Sequence, residues 1–96
     1  MEIREFQRLM KDLYGDNDAE RGLEKTVLWF YEETGELAEA IRKRDKKAIG
    51  EEMADVFAWM VSLANMLGVD VEEACLTKYP MKCPRCGNAP CTCRKE

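Results

Sequence analysis

Apolar residues recur at helical spacing through most of the chain. From Met1 to Tyr14 they alternate with charged residues at the positions i, i+3, i+4 and i+7, which predicts an amphipathic helix. The apolar positions are Ile3, Phe6, Leu9, Met10 and Leu13. The polar run Gly15-Asp16-Asn17-Asp18 predicts the end of this helix, and we expect Asp18 to cap the helix that follows.

Two long helices are predicted next. The second should run from about Ala19 to Arg44, and the third from a turn and N-cap at Asp45 to about Leu67. The second would bury a stripe made of Leu23, Val27, Phe30, Leu37, Ala38 and Ile41. The third would bury Met53, Val56, Phe57, Met60, Ala64 and Leu67. A short connection between them favours an antiparallel hairpin.

The helical pattern ends near residue 80. Gly68 is a suitable C-cap for the third helix, and Asp70 should begin a short fourth helix that reaches about Cys75, a small core residue in this apolar context. Pro80 then closes the helical part. We expect an all-α domain over residues 1–79 and a cysteine-rich tail over residues 80–96, too short for a hydrophobic core of its own.

Composition narrows the chemistry that such a chain can perform. Of the 96 residues, 46% are hydrophobic and 35% are charged, which favours a folded helical protein over a disordered one. Histidine is absent, which excludes Ser–His and Cys–His nucleophile pairs, histidine acid–base catalysis and di-iron sites built on Glu-x-x-His. Catalysis must then rely on carboxylates, thiolates, basic side chains or a metal ion.

Charge and hydropathy limit the partners. A net charge of −4 argues against binding a nucleic-acid polymer, because phosphate neutralisation needs a cationic face. The longest apolar run, Val56 to Val69, has about 14 residues, whereas a membrane span needs roughly 20. The first ten residues are charged throughout, unlike a signal peptide. We therefore expect a cytoplasmic protein without a membrane partner.

Four acidic residues stand out on the two long helices. Glu33 and Glu36 are roughly 60° apart on one flank of the second helix, and Glu52 and Asp55 have the same spacing on the third. In a hairpin that turns near Arg44 or Asp45, Glu33 lies level with Asp55, and Glu36 lies level with Glu52. Carboxylates brought so close raise each other's pKa unless a cation joins them, and oxygen ligands of this kind suit Mg²⁺ or Mn²⁺.

A plainer interpretation stays open at this point. Acidic residues on a helix usually form a solvated face and pair with lysine and arginine side chains. Two such pairs, level across a hairpin, make that interpretation less favourable than it would be for a single Glu-x-x-Glu. The choice between the two depends on where the hairpin turns.

The segments WFYEETGELAEAI and EEMADVFAWMV resemble the all-α nucleoside triphosphate pyrophosphohydrolases of the MazG type. That family's signature is Glu-Glu-x-x-Glu, a spacer, and then Glu-x-x-Asp. The residues that match it are Glu32, Glu33, Glu36, Glu52 and Asp55. The resemblance extends from about Leu23 to Pro80, and the two-part motif with its flanking apolar pattern is fairly specific.

The resemblance implies both an activity and a site. The family's enzymes are helical dimers, or dimers of dimers, that hydrolyse a nucleoside triphosphate to the monophosphate and pyrophosphate. By position, Glu33, Glu36, Glu52 and Asp55 would be the catalytic carboxylates that hold Mg²⁺, and Glu36 is our choice for the residue that accepts the proton of the attacking water. Glu32 would be a supporting acid, because its helical angle points away from the other four.

The resemblance also suggests which residues contact the substrate. Lys78 matches in kind a phosphate-binding position of the family, although the stretch around it is shortened here and an expected asparagine is absent. Arg85 or a partner subunit would then contribute to phosphate binding. Trp29 and Trp59 lie on the flank of the acidic residues, where they would stack on a nucleobase or cover the dimer interface.

The tail carries four cysteines: Cys83, Cys86, Cys91 and Cys93. The sequence Cys-Pro-Arg-Cys-Gly is a knuckle that directs two thiolates at one metal, and Cys-Thr-Cys supplies two more after a short spacer. A closed, structural Cys₄ zinc site is the main interpretation. Free thiols, two disulfides and an iron–sulfur cluster are the alternatives.

Two functions follow from these patterns. The first is Mg²⁺-dependent nucleotide pyrophosphohydrolysis by a homodimer or tetramer, with removal of unwanted nucleotides as its purpose, or a related reaction on phosphoribosyl-ATP. The second is a non-catalytic helical dimer whose zinc knuckle binds a partner, with the acidic residues serving solubility only.

Overall fold

The computed structural model of the chain describes residues 1–94. Four helices form the fold: α1 (Ile3–Arg21), α2 (Leu23–Lys43), α3 (Lys46–Leu67) and α4 (Val71–Lys78). The all-α fold class is confirmed, since residues 1–94 contain no strand. From residue 79 to residue 94 the chain forms turns and bends. The division into a domain over 1–79 and a tail over 80–96 stays a prediction, and residues 95–96 of that tail lie outside the described residues.

The centre of the fold is the hairpin of α2 and α3, joined by Arg44 and Asp45 only. Arg44 adopts the left-handed conformation with φ 58°, and its N–H donates to the last carbonyls of α2. Asp45 caps α3, because its carboxylate accepts a hydrogen bond from the N–H of Ala48 at 3.2 Å. The predicted turn and N-cap are therefore confirmed, and the turn fixes which residues of the two helices come level.

The predicted break at Gly15-Asp16-Asn17-Asp18 is wrong, because α1 continues through these residues to Arg21. Asp18 is buried within the helix and accepts a hydrogen bond from Arg21 one turn later, at 2.8 Å, so it does not cap α2. The break falls instead at Gly22, which has φ 89° and ψ 160°, a conformation that L side chains rarely adopt. Burial of one face of α1 outweighs the weak helix propensity of the polar run.

The helix α1 packs on α3 and contacts α2 and α4. The Phe6 and Phe57 rings stack with centroids 5.3 Å apart. Buried Gln7 donates to the Asn65 side chain at 3.1 Å and accepts from the N–H of Val71 at 3.1 Å. These bonds hold α1 against the corner between α3 and α4.

The corner between α3 and α4 follows the sequence prediction. Gly68 ends α3 in the left-handed conformation with φ 71°. Asp70 caps α4 by accepting from the N–H of Glu73 at 3.1 Å. The fourth helix reaches Lys78, beyond the predicted end near Cys75. Cys75 is exposed, so its assignment to the core is wrong; α4 packs on α1 and leaves this side chain on the outside.

The core of the single chain is smaller than the apolar stripes predict. Met10, Ala40, Val61 and Ala64 are the buried hydrophobic residues. Several predicted core residues are exposed instead: Leu23, Val27, Ala38, Ile41, Met53 and Leu67. Periodicity marks them as apolar, but α1 covers only part of the hairpin, and the rest of its apolar surface faces outwards.

Across residues 1–94, each helix taken singly is too short or too polar to cross a membrane. The α3–α4 pair meets the length and composition criteria jointly, with a bend of 97° between the two helices.

Candidate active site

The hairpin brings acidic side chains of α2 and α3 together. Glu33, Glu36 and Glu52 each offer an oxygen, and the three oxygens all lie within 4.8 Å of one another. Asp55, one turn after Glu52, lies outside this set of three but is close enough to repel the charge on Glu33, and we call the four residues together the acidic cluster. The two-residue turn produces this arrangement, because it sets Glu33 level with Asp55 and Glu36 level with Glu52.

The cluster combines buried oxygens with a strong mutual repulsion. Glu33 Oε2 and Glu52 Oε1 are buried and have no hydrogen-bond partner among the described residues. Burial, followed by the charges of Glu36, Asp55 and Glu52, raises the pKa of Glu33 from 4.5 to about 7. Buried carboxylate oxygens normally find a donor or a cation, so these two oxygens favour a bound cation.

Basic side chains of the described chain do not supply that charge. The ion pairs within residues 1–94 are Arg4 with Asp70 and Glu72, Arg21 with Asp18, and Arg42 with Glu39. None of them involves the four acids of the cluster. The pairing with lysine and arginine that the plainer interpretation expects is therefore absent among the described residues.

The donor set fits a hard divalent cation. Mg²⁺ and Mn²⁺ prefer carboxylate oxygens and keep several waters, which a phosphate chain can replace. Three oxygens converge from two rigid helices, one of them on the exposed Glu36 at the edge of the cluster. Three protein oxygens would leave the remaining ligands of a six-coordinate ion to water or to other oxygen donors.

A cavity of about 470 Å³ adjoins the cluster and shares Asp55 with it. Its walls come from three helices: Tyr14, Asn17, Asp18 and Arg21 of α1, Trp29 of α2, and Asp55, Trp59 and Ser62 of α3 are among them. Its size lies within the range of small-molecule pockets, about 300–1,000 Å³. A cavity that contains two tryptophans next to a carboxylate cluster can hold a flat ring while a charged group reaches the acids.

The two tryptophans lie together in this cavity. The Trp29 and Trp59 rings are 5.6 Å apart between centroids, tilted by 58°. The Arg21 guanidinium lies over both, 5.6 Å from the centroid of Trp29 and 4.9 Å from that of Trp59. Trp29 is 52% exposed, so its ring is available to a ligand or to another chain.

Sequence reasoning missed Arg21 and Asp18 as cavity residues. Arg21 donates to Asp18 Oδ1 at 2.8 Å and to the buried Thr26 hydroxyl at 3.2 Å, which fixes its guanidinium against the tryptophans. The second oxygen, Asp18 Oδ2, is buried without a hydrogen-bond partner in the described chain. The spacing Asp-x-x-Arg is a signal for an ion pair along a helix, but it became visible as part of the cavity only once α1 was seen to extend to Arg21.

Two predicted residues lie apart from the cluster. Glu32 is exposed on α2, next in sequence to Glu33 but outside the converging set. Lys78 ends α4, and its ammonium group lies 5.7 Å from the centroid of the Tyr79 ring. Because α4 packs on α1, and Lys78 is not among the residues that line the cavity, phosphate binding by this side chain stays a prediction.

The four tail cysteines also converge. Their sulfur atoms all lie within 4.8 Å of one another, and none of them forms a disulfide. A hydrogen bond from the N–H of Thr92 is the main cause that lowers the pKa of Cys86 to about 5. Hydrogen bonding among the sulfurs, chiefly with Cys91, raises the pKa of Cys93 to about 12. The cluster therefore favours a mixture of thiolate and thiol as long as no cation is bound.

Comparison with known proteins identifies the family. The family model of the MazG nucleotide pyrophosphohydrolase domain matches residues 21–87, which include all four acids of the cluster. A comparison with curated proteins gives no match. The match begins at the last residue of α1 and ends between the second and third tail cysteines. With more than half of its length matched by that model, the chain belongs to the MazG nucleotide pyrophosphohydrolase domain family.

Proposed function

We propose that this protein hydrolyses a nucleoside triphosphate to the nucleoside monophosphate and pyrophosphate, in a reaction that depends on Mg²⁺ or Mn²⁺. One observation carries the proposal above all. Glu33, Glu36 and Glu52 converge within 4.8 Å, with buried oxygens that lack partners in the described chain, beside a cavity large enough for a nucleobase. Membership of the MazG family supports the same reaction.

Glu33, Glu36, Glu52 and Asp55 would hold the divalent ion. When bound, such an ion neutralises charge on the triphosphate and makes water a better nucleophile toward phosphorus. Glu33 and Glu52 contribute the buried oxygens, which fixes the geometry of the site. Glu36 is exposed, so we assign to it the acceptance of the proton that the attacking water releases.

The nucleobase would occupy the tryptophan cavity. Trp29 is half exposed there, and an aromatic ring next to it can stack on its face. Arg21 holds the rings in place from the α1 side. Asp18 offers a carboxylate with a spare acceptor, which favours a base that carries an exocyclic amino group. Because Asp55 belongs to both sites, base and phosphates would be bound side by side.

The exposed apolar surface of the hairpin supports a homodimer or a tetramer. Leu28 and Tyr31 of α2 are 66% and 77% exposed, and Val27, Ile41 and Met53 are each about half exposed. Such a surface is costly to leave in water, and a second copy of the chain can cover it. Sedimentation or light scattering should give twice or four times the mass of the chain. The cytoplasmic location stays a prediction.

The test is a pyrophosphate-release assay over canonical and modified nucleoside triphosphates, with Mg²⁺, with Mn²⁺ and with a chelator. We expect metal-dependent turnover, and its loss in Glu36→Gln and Asp55→Asn without a change in helix content. Glu51→Gln is the matched control, because Glu51 is an exposed acid directly beside Glu52 that does not join the cluster. It should keep full activity.

Two results would overturn the proposal. Turnover that survives in both Glu36→Gln and Asp55→Asn would show that the cluster is not the site of reaction. Absence of turnover across the whole panel would favour the non-catalytic alternative, a helical dimer that acts through its cysteine tail.

A further inference from the structure

We propose that each chain binds one structural Zn²⁺ ion between Cys83, Cys86, Cys91 and Cys93, and that the segment 83–93 depends on this ion for its fold. The site is separate in sequence from the acidic cluster and is completed by Cys91 and Cys93, which lie beyond the matched family residues. The inference does not rest on the proposed function.

The sulfur positions agree with a single tetrahedral ion. With a zinc–sulfur bond of about 2.3 Å, the sulfurs of a tetrahedral site are about 3.8 Å apart. In the structure Cys83 Sγ and Cys93 Sγ are 3.8 Å apart, and Cys86 Sγ and Cys91 Sγ are 3.9 Å apart. Disulfide bonds would need about 2.05 Å. All four sulfurs lie within 4.8 Å of one another, which leaves room for one ion at the centre and none for a multi-atom cluster.

Backbone N–H groups are already turned toward the sulfurs. Arg85 N–H donates to Cys83 Sγ at 3.4 Å, and Cys93 N–H donates to Cys91 Sγ at 3.2 Å. Hydrogen bonds of this kind stabilise thiolate ligands and fix their direction. Each half of the cluster therefore has a sulfur that accepts a backbone hydrogen bond, as the sulfurs of zinc-bound cysteines commonly do.

The loop between the cysteines is shaped to bring the two pairs together. Gly87 has φ 75°, and its N–H donates to the carbonyl of Cys83 at 2.8 Å, which closes the knuckle. The Asn88 side chain then donates to the Thr92 hydroxyl at 2.8 Å, which links the knuckle to the second pair. These bonds bring the two cysteine pairs together, but the loop buries almost no apolar surface.

The segment has no apolar core that could hold this shape without a ligand. Among residues 83–93, Cys83, Cys86 and Cys93 are partly buried, the other residues are exposed, and none is fully buried. Four bound thiolates close the coordination sphere, so the ion has no open position for substrate and serves the fold alone. For such a segment the free energy of zinc binding is also its free energy of folding.

Metal analysis of the full chain is the first test. Protein purified without added chelator should contain one zinc per chain by mass spectrometry, and Co²⁺ replacement should give the visible absorption of tetrahedral cobalt thiolate. Cys83→Ser and Cys93→Ser should lose stoichiometric zinc. Cys75→Ser is the matched control, because Cys75 is a free cysteine on α4 outside the cluster, and it should keep one zinc.

Limited proteolysis tests the dependence of the fold on the ion. Trypsin should cut after Lys82 and Arg85 rapidly once zinc is removed and slowly when it is present, while the helix content of the rest stays the same. In Gly87→Ala the added methyl group meets no atom within 4 Å, but the alanine must adopt φ 75°. This strain should make the variant bind zinc about fivefold more weakly.

Three results would overturn the inference. The first is iron in place of zinc in the purified chain. The second is protein isolated without metal whose mass is lower by four hydrogens, as two disulfides would produce. The third is cleavage after Lys82 and Arg85 at the same rate with and without zinc.

Discussion

The pH dependence of stability tests the acidic cluster directly, through Glu33. Burial and the neighbouring carboxylates raise its pKa from 4.5 to about 7, so between these values the folded chain holds a proton that the unfolded chain has released. Without a divalent ion, the contribution of Glu33 to the free energy of unfolding is complete below pH 4.5, declines as the pH rises to about 7, and is lost above it.

The size of this contribution follows from the size of the shift. One pKa unit corresponds to about 1.4 kcal/mol, so the rise sets a ceiling of about 3 kcal/mol. Glu33 is partly exposed, and solvent screening reduces the value to about 1–2 kcal/mol. For a domain of this length that corresponds to a Tm lower by about 4–16 °C above neutral pH.

The assay is thermal unfolding followed by far-UV circular dichroism, in the presence of a chelator, from below pH 4.5 to above neutral pH. Glu33→Gln keeps the shape of the side chain and removes the titrating proton, so its Tm should exceed that of the native chain above neutral pH and converge with it at low pH. Mg²⁺ should stabilise the native chain most at high pH, where Glu33 is ionised, and should have a much smaller effect on Glu33→Gln.

Glu51→Gln serves as the control, because it removes the charge of an exposed acid of α3 outside the cluster and should follow the native pH curve. If the Tm of the native chain and the Tm of Glu33→Gln fall by the same amount between low and high pH, then the burial and repulsion assigned to Glu33 are wrong.

The remaining predictions concern the backbone and the cavity. Gly22→Ala should lower the free energy of unfolding by about 1–3 kcal/mol through backbone strain alone. Gly50→Ala lies inside α3 with open space around it and should raise the free energy of unfolding by about 0.5–1 kcal/mol. Urea unfolding measures both changes. Arg44→Gly should stabilise the hairpin by about 1 kcal/mol, because the left-handed conformation no longer strains a side chain; an unchanged urea midpoint would contradict this. Asp18→Asn should shift the nucleotide preference from bases with an exocyclic amino group toward bases with a carbonyl there, as kcat/KM over the triphosphate panel would show; an unaltered order of substrates would exclude contact with the base.

The sequence alone was enough to locate the hairpin and its acidic residues. Asp45 is a strong N-cap, and apolar stripes of helical spacing run along the chain on either side of it. Once the turn is fixed, helical geometry places Glu33 and Glu36 against Glu52 and Asp55. These features are local in the chain, which is why pattern and spacing predict them.

The cavity and the extent of the core were not predictable in the same way. The polar run that begins at Gly15 predicts a helix end, and the packing of α1 on α3 carries the helix past it to the bend at Gly22. That choice places Arg21 against the tryptophans. Likewise, periodicity marks Val27 and Ile41 as apolar, but it cannot distinguish a core of the single chain from a surface between two chains.

The acidic cluster and one wall of the cavity belong to different helices, and this separation has an evolutionary consequence. The acids of the cluster come from the hairpin, while Asp18, Asn17 and Tyr14 reach the cavity from α1, in a stretch that precedes the matched family residues. Mutations that alter this wall leave the carboxylates where they are. Under the proposed function, a lineage of such proteins can therefore change the nucleotide it accepts while the acidic cluster keeps its arrangement.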